Sequence, residues 1–197
     1  MTMGHLQPFE LEIKHFLAQH NIRFVDGTSS LEELDFALQE YNVHFDVKEK
    51  KQHFNMSNWG GTNIPEEHFF ILDDLAARKI LLKAPRSFVL IRDSVRAPVY
   101  YVYSIVDLLC IPKKRVRRAL EKNTHTFKGK WFIDFRHAVQ FDSLEQSIKY
   151  MVTYHQKFDE IFKEHIDCWG EYENENIQTA GIPRKPEHWK EDLKVKS

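Results

Sequence analysis

The sequence is short of cysteine, of long apolar runs and of net charge. Its 197 residues include two cysteines, Cys110 and Cys168, and carry a formal net charge of -1. Two cysteines cannot build a disulfide framework, so a reducing, cytoplasmic compartment is expected. Residues 1–16 contain no apolar signal core, and no apolar stretch approaches the ~20 residues that a membrane helix needs. We therefore expect a protein without a membrane partner.

Several classes of binding site are also missing from the sequence. The eleven histidines show neither His-x-x-x-His nor Cys/His spacing, which argues against a zinc site. Trp59-Gly60-Gly61 lacks the pattern of a phosphate-binding loop. The near-neutral charge is unusual for a protein that grips nucleic acid nonspecifically, although the distribution of charge matters more than its sum.

Apolar periodicity predicts a mixture of helices and strands. Helical spacing predicts a first helix over residues 6–20 that ends near Asn21. Further helices are predicted at 63–83, 104–110, 112–122 and 143–169, and strands at 34–38, 43–48, 87–92, 98–103, 127–128 and 131–135. This order predicts an α/β domain with a mixed central sheet flanked by helices and a long C-terminal helix. The domain is expected to cover residues 1–170, and the polar residues 171–197 to form a tail.

Two short alternating segments predict a β-hairpin with one buried face. Large apolar residues alternate with Asp35 and Ala37 at 34–38, and with polar residues at 43–48. The register that places every apolar residue on one face pairs Leu38 with Val43, Phe36 with Phe45, and Leu34 with Val47. The same register puts Asp35 directly opposite Asp46, and Lys48 two residues further along the same face. The hairpin is therefore expected to carry two facing carboxylates and a lysine.

This arrangement has a chemical use as well as a structural cost. Facing carboxylates repel each other and destabilise a strand pair, and a divalent cation between them removes that cost. Asp35 and Asp46 supply the oxygen ligands that Mg²⁺, or Mn²⁺, prefers, and a metal ion activates water and polarises phosphoryl oxygens. Lys48 could orient the attacking water or stabilise negative charge in the transition state. The alternative interpretation is an exposed hairpin face with ordinary charges.

The residues L-D35-F and F-D46-V-K48-E-K resemble the PD-(D/E)xK nuclease superfamily, whose members share the restriction-endonuclease-like fold. The resemblance covers about residues 6–92, and it departs from the family pattern at Leu34, where a proline is expected, and at Asp46, where glutamate is commoner. It implies a metal-dependent endonuclease that hydrolyses DNA phosphodiester bonds. It also implies a helix acid, for which Glu10 is preferred over Glu12.

Two further groups of residues are candidate nucleic-acid contacts. Lys50 and Gln52 follow the acid-x-Lys motif and could touch the scissile phosphate. A run of five cations is expected on the first turns of the helix at 112–122, where it could neutralise phosphates. This run consists of Lys113, Lys114, Arg115, Arg117 and Arg118. For both groups, solvated surface charge is the alternative interpretation.

The sequence leaves competing functions open. The expected partner is DNA, bound in a homodimer or a larger nucleoprotein assembly, but the pattern does not specify the substrate's sequence or structure. The main alternative is a noncatalytic nucleic-acid-binding or assembly protein that retains the nuclease fold. A generic interaction protein with incidental hairpin charges is a third hypothesis. Metal binding separates the first hypothesis from the other two.

Overall fold

A computed structural model describes residues 8–96, 98–119 and 127–165 of the chain. Its described residues through Val152 belong to one compact unit, and 153–165 belong to a second unit that contains the end of the last helix. The predicted tail at 171–197 lies outside the described residues. Within them, no helix combines the length and the apolarity that crossing a bilayer requires.

The described elements are a mixture of helices and strands, as predicted. The helices are α1 Pro8–Gln19, α2 Asp74–Leu82, α3 Ile105–Cys110 and α4 Leu144–His165. The strands are β1 Phe24–Asp26, β2 Phe36–Leu38, β3 Val43–Lys50, β4 Phe69–Asp73, β5 Ser87–Asp93, β6 Val99–Ser104, β7 Lys114–Ala119, β8 Phe127–Asp134 and β9 Val139–Phe141. Short 3₁₀ helices occupy Met56–Trp59, Glu66–His68 and Phe135–His137.

The strands form two sheets. The main sheet has the order β1-β2-β3-β5-β6-β9, and the small sheet has the order β4-β8-β7. In the main sheet β3 and β5 run parallel, and the other neighbours are antiparallel. This confirms the predicted mixed sheet flanked by helices. The chain between the parallel pair includes β4 and α2, so α2 is the helical part of the crossover.

The predicted hairpin is present in the predicted register. Leu38 pairs with Val43 and Phe36 with Phe45, and the two phenylalanine rings stack with their centroids 5.2 Å apart. Asn42 enters the strand from a left-handed conformation with φ of 50°, which asparagine tolerates better than most residues. Asn21, with φ of 55°, likewise follows the end of α1, as predicted.

The structure differs from the sequence prediction in several elements. The segment 63–83 is not one helix, because Phe69–Asp73 forms β4 and only Asp74–Leu82 is helical. The helix predicted at 112–122 is also wrong where the structure describes it, because Lys114–Ala119 forms β7; residues 120–122 lie outside the described residues. The edge strand β1 was not predicted, since Phe24–Asp26 is too short to show periodicity. The predicted strands at 127–128 and 131–135 are one strand, β8.

Both faces of the main sheet are covered. On one face α1 buries Phe9, Ile13 and Leu17. The opposite face, which carries Val89 and Ile91, packs against α2, α3 and the small sheet. Its buried cluster consists of Leu34, Phe70, Leu72, Ala76, Ala77, Ile80, Val89, Ile91, Tyr103, Ile105, Leu108, Trp131, Ile133 and Phe135. Because the side chains of β3 alternate between these two covered faces, the polar side chains of the hairpin are partly shielded from solvent.

Candidate active site

The candidate site lies where β3 extends past its hairpin partner. β2 pairs with residues 43–45 of β3, whereas β5 pairs with residues 44–50. Beyond Phe45 the hydrogen-bond acceptor is a side chain instead of the β2 backbone: Oδ2 of Asp35 accepts the N–H of Val47 at 2.7 Å. Asp35 and Asp46 directly follow the last pair of this ladder, Phe36 with Phe45, and their carboxyl groups are close enough for the charge of Asp46 to raise the pKa of Asp35.

Asp46 is a buried carboxylate with unused acceptor capacity. The residue is 1% exposed, and neither side-chain oxygen accepts a hydrogen bond of ordinary geometry from the described residues. Two cations lie at ion-pair distance: Nζ of Lys48 is 2.5 Å from Oδ2, and Nζ of Lys79 is 3.6 Å from Oδ1. A buried acceptor without hydrogen bonds is costly, so this carboxylate is suited to a further ligand.

Lys48 joins the two aspartates. Its Nζ lies 3.7 Å from Oδ2 of Asp35 as well as 2.5 Å from Asp46, and it donates to the carbonyl of Val47 at 2.8 Å. Burial lowers the pKa of Lys48, but the negative charges of Asp46 and Asp35 outweigh burial and raise it above its ordinary value. Lys48 therefore remains a cation, and the structure brings the three predicted hairpin residues together.

Asp35 titrates in an unusual range. Burial raises the pKa of its carboxyl group to about 6, and the negative charge of Asp46 adds to the effect. Lys48 and the N–H of Val47 act in the opposite direction but do not cancel it. Two carboxylates at close quarters disfavour simultaneous ionisation, and shifts of this kind are common at functional sites.

The two candidate helix acids have different surroundings. Glu10 and Lys48 line the same cleft of about 450 Å³, together with Phe9, Val47, Glu49 and Lys51, and the charge of Glu10 helps to raise the pKa of Lys48. Glu12 instead pairs with Arg92, which also pairs with Glu49 at 2.7 Å. The geometry therefore favours Glu10 over Glu12 as the acid beside the hairpin.

The carboxylate pair fits a magnesium-type ion in chemistry and in number. Asp35 and Asp46 offer hard oxygen ligands, and the buried oxygens of Asp46 accept no hydrogen bond of ordinary geometry from the described residues. In the described part of the chain, no group of three or more His, Cys, Asp or Glu side chains is arranged to hold a metal ion. Mg²⁺ is commonly held by one or two carboxylates and keeps several waters, so two carboxylates are a sufficient protein contribution.

Sequence reasoning missed Lys79, which α2 brings to the site. Its Nζ donates to the carbonyl of Glu33 at 2.6 Å while lying 3.6 Å from Asp46. The side chain is 12% exposed. No motif marks this lysine, because its position depends on the crossover that folds α2 over the main sheet.

Lys50 and Gln52, the predicted phosphate contacts, occupy different environments. The Lys50 side chain is fully buried, pairs with Oε1 of Glu66 at 3.0 Å and donates to the Glu66 carbonyl at 2.7 Å. Its ammonium group is thus enclosed by protein and does not face a substrate, contrary to the prediction. Gln52 follows β3 and is exposed.

The basic segment lies on a strand, and its lysines contact local carbonyl groups. Lys113 donates to the carbonyl of Leu109 at 2.8 Å, and Lys114 to that of Gly61 at 2.8 Å. Arg115 and Arg117 share one face of β7 and line a separate cavity. Arg118 is in register with Lys128. The run of cations therefore does not form the single helical patch that the sequence predicted.

Comparison of the chain with protein-family models, with curated proteins and with solved structures gave no match. The functional argument therefore depends on the geometry of the site.

The raised pKa of Asp35 predicts how the site affects stability. The folded pKa of about 6 exceeds the reference value of 3.8, so the folded protein binds the proton more tightly. The stabilisation from this group is complete below about pH 4 and is lost as the pH rises through 6. Asp35→Asn keeps an acceptor for Val47, and we expect it to raise the unfolding free energy at pH 8 by roughly 2 kcal/mol.

Urea melts of wild type and Asp35→Asn at pH 4.5, 6 and 8 measure this effect. Asp26→Asn is the control, because hydrogen bonds from Lys14 and Thr28 outweigh burial and lower the pKa of Asp26. Its effect on stability should have the opposite sign at pH 8. If Asp35→Asn destabilises the protein equally at all three pH values, the two aspartates are not electrostatically coupled.

Proposed function

We propose that this chain is a divalent-metal-dependent endonuclease that hydrolyses phosphodiester bonds in DNA. The observation that carries the proposal is the Asp46 carboxylate, which is buried beside Asp35, pairs with the ammonium of Lys48 at 2.5 Å and accepts no hydrogen bond of ordinary geometry from the described residues. The order helix, hairpin, helix, parallel strand, which the nuclease resemblance implies, is also that of α1, β2–β3, α2 and β5. This order supports a restriction-endonuclease-like core.

Each residue of the site has a distinct task in such a reaction. Asp35 and Asp46 would hold Mg²⁺ or Mn²⁺, which supplies Lewis-acid polarisation of the phosphate and lowers the pKa of water. Lys48 holds a positive charge at Nζ, on the border of the cleft that Glu10 also lines. There it stabilises the negative charge that develops on the phosphate as water adds to phosphorus and the bond to the leaving oxygen breaks. The negative charge of Glu10 favours the cationic form of Lys48.

A cleavage assay tests the proposal directly. Duplex, single-stranded and branched DNA are incubated with the full chain and Mg²⁺ or Mn²⁺, with EDTA as the control. We expect metal-dependent cleavage of at least one substrate. DNA binding without cleavage of any substrate in either metal would favour the noncatalytic alternative. One observation favours the noncatalytic alternative: the ammonium of Lys48 lies 2.5 Å from Asp46 and already balances its charge without a metal ion.

Lys48→Met separates catalysis from metal binding. We expect turnover to fall by about 100-fold, because one preorganised charge is lost from the transition state. Metal affinity should stay the same or increase, since Lys48 is a competing cation rather than a ligand. Single-turnover cleavage and calorimetric metal titration give the two quantities.

Lys83→Met is a matched control for this variant. Its side chain is also 33% exposed, and it pairs with Glu33 at 2.9 Å rather than with either aspartate. An equal loss of turnover in both variants would show that Lys48 contributes only to general charge.

A further inference from the structure

Three arginines converge on a second cavity, of about 490 Å³, between the first turn of α2 and the strands β7 and β8. We call it the arginine cavity. Its lining consists of Asp74, Arg78, Arg115, Val116, Arg117 and Gly129. Its volume is within the range of roughly 300–1,000 Å³ that is typical of ligand pockets.

Asp74 fixes the positions of two of these arginines. Its carboxylate accepts from Nε of Arg78 at 2.8 Å and from Nη2 of Arg115 at 2.6 Å. A third donor, Nε1 of Trp131, lies 2.9 Å away. The hydrogen bonds from Trp131 and Arg115, together with the positive charges of Arg115 and Arg78, lower the pKa of Asp74 despite some burial. Asp74 is therefore a permanent anion that orients guanidinium groups.

The arginines keep donors available for a ligand. A guanidinium group has five N–H donors, and Asp74 engages Arg78 and Arg115 through one nitrogen each. Their side chains are 70% and 60% exposed. Arg117 has no carboxylate partner among the described residues. Three guanidinium groups against one carboxylate leave two uncompensated positive charges among the lining side chains.

The backbone is shaped to bring β8 close to this aspartate. A Cβ atom at Gly129 would lie 2.7 Å from the Cβ of Asp74, a distance that real side chains do not reach. Gly129 pairs with Arg117 across the small sheet. The absence of a side chain at 129 thus lets Asp74 and the two strands form one wall of the cavity.

We propose that the arginine cavity binds a phosphate group of a nucleic-acid strand. Guanidinium groups match phosphate oxygens in charge and in fork geometry. The inference rests on the proposed nuclease function and deepens it, because α2 carries Arg78 beside Lys79, whose Nζ lies 3.6 Å from Asp46. Consecutive residues of α2 therefore contribute to the arginine cavity and to the aspartate pair.

Binding in EDTA tests this proposal separately from catalysis. The probes are a 5′-phosphorylated single-stranded oligonucleotide and the same oligonucleotide with a 5′-hydroxyl. We expect Arg78→Gln/Arg117→Gln to bind roughly tenfold more weakly than wild type. The slope of log affinity against log salt should be shallower by about 0.7, since the neutralisation of one phosphate on a single strand is lost.

The control variant removes the same charge elsewhere. Arg23→Gln/Lys149→Gln replaces two exposed cations outside the cavity and should bind nearly as wild type does. A loss limited to the 5′-phosphorylated probe identifies a terminal phosphate, and an equal loss for both probes identifies an internal one. Either outcome supports the proposal. If the cavity variant binds both probes as the control does, the proposal is overturned.

Folding and catalysis are checked independently. Thermal melts establish that the cavity variant is folded, and Arg78→Lys/Arg117→Lys keeps the charge while removing the fork, so its affinity should be intermediate. Asp46→Asn should bind the probes in EDTA as wild type does. Failure of cleavage with intact cavity-dependent binding would therefore count against the nuclease proposal and leave phosphate binding standing.

Discussion

Asp46→Asn should abolish metal-dependent cleavage while leaving the fold and DNA binding intact. Asparagine keeps the size of the side chain and one carbonyl oxygen, but it lacks the charge that offsets a divalent cation. A metal ion contributes several kcal/mol of transition-state charge stabilisation, so the rate should fall by roughly 1000-fold or more. The side chain is 1% exposed, so the substitution changes little of the molecular surface.

Metal-dependent melting gives a second measure of the same substitution. At a metal concentration 100-fold above Kd, the melting temperature of wild type should rise by about 5 °C or more. The variant should show no rise. This effect should be larger at pH 8 than at pH 5, because Asp35, with a pKa of about 6, must lose its proton to bind metal.

Asp134→Asn is the matched control, because Asp134 is also buried, at 4% exposure, and pairs with Arg136 away from the hairpin. It should retain both cleavage and the metal response. Equal metal stabilisation of wild type and Asp46→Asn would show that the aspartate pair is not the metal site.

Glu66→Ala should be the most destabilising of the substitutions considered. Glu66 receives donors from three parts of the chain: Lys50 at 3.0 Å, the N–H of Phe54 at 3.0 Å and Arg96 at 2.5 Å. Among the described residues it is the carboxylate within 4 Å of the Lys50 ammonium group. Removing it leaves a buried cation without a counter-charge, at a cost of about 3–5 kcal/mol in unfolding free energy.

Companion variants identify the cause of this loss. Glu67→Ala removes an exposed carboxylate at the next position and should change stability by less than about 0.5 kcal/mol. Glu66→Ala/Lys50→Met should recover much of the lost stability, because no buried charge is left unpaired. Urea melts measure all three. A double variant no more stable than Glu66→Ala would show that the unpaired ammonium is not the main cost.

The same carboxylate predicts an acid limit to stability. Burial tends to raise the pKa of Glu66, but hydrogen bonds from His53, Phe54 and other donors hold it well below its usual range. A lowered folded pKa gives stabilisation that is complete above the ordinary pKa and is lost as the pH falls below it. Wild type should therefore lose stability below about pH 4.5, and Glu66→Ala should lose less over that range.

The hairpin could be predicted from sequence because its information is local. Apolar residues at every second position fix which side chains share a face, and a slip of one residue would move all of them. The pairs Phe36–Phe45 and Leu38–Val43 follow from this rule. The third predicted pair, Leu34 with Val47, is replaced by the contact of the Asp35 carboxylate with the Val47 N–H. Hydrophobic periodicity does not predict a hydrogen bond between a side chain and the backbone.

The sequence pattern did not show what covers the polar face of β3. Alternation places Asp46, Lys48 and Lys50 together but does not say whether solvent or protein lies against them. The structure covers this face with α2 and the small sheet, so Asp46 and Lys50 are each 1% exposed. Lys50 was therefore assigned to the surface, and Lys79, which arrives with the covering helix, was not identified.

Distant pairing explains the remaining errors. The apolar residues of 69–72 fit a helical stripe as well as a strand, but β4 pairs with β8, with Phe69 opposite Asp134. The basic segment 114–119 is a strand because it pairs with the same β8. Partners this far apart override local preference, and the local sequence contains no sign of them.

The position of β4 also governs the order in which the protein can assemble during synthesis. The ribosome releases β4 and α2 well before β8, the partner of β4 in the small sheet. Until residue 134 has emerged, the apolar strand Phe69–Asp73 lacks its partner β8, and unpaired strand edges are a hazard for association between nascent chains. The hairpin can form early, but the small sheet that covers its charged face can form only after β7 and β8 have been synthesised. The candidate site is therefore completed late in the synthesis and folding of the chain.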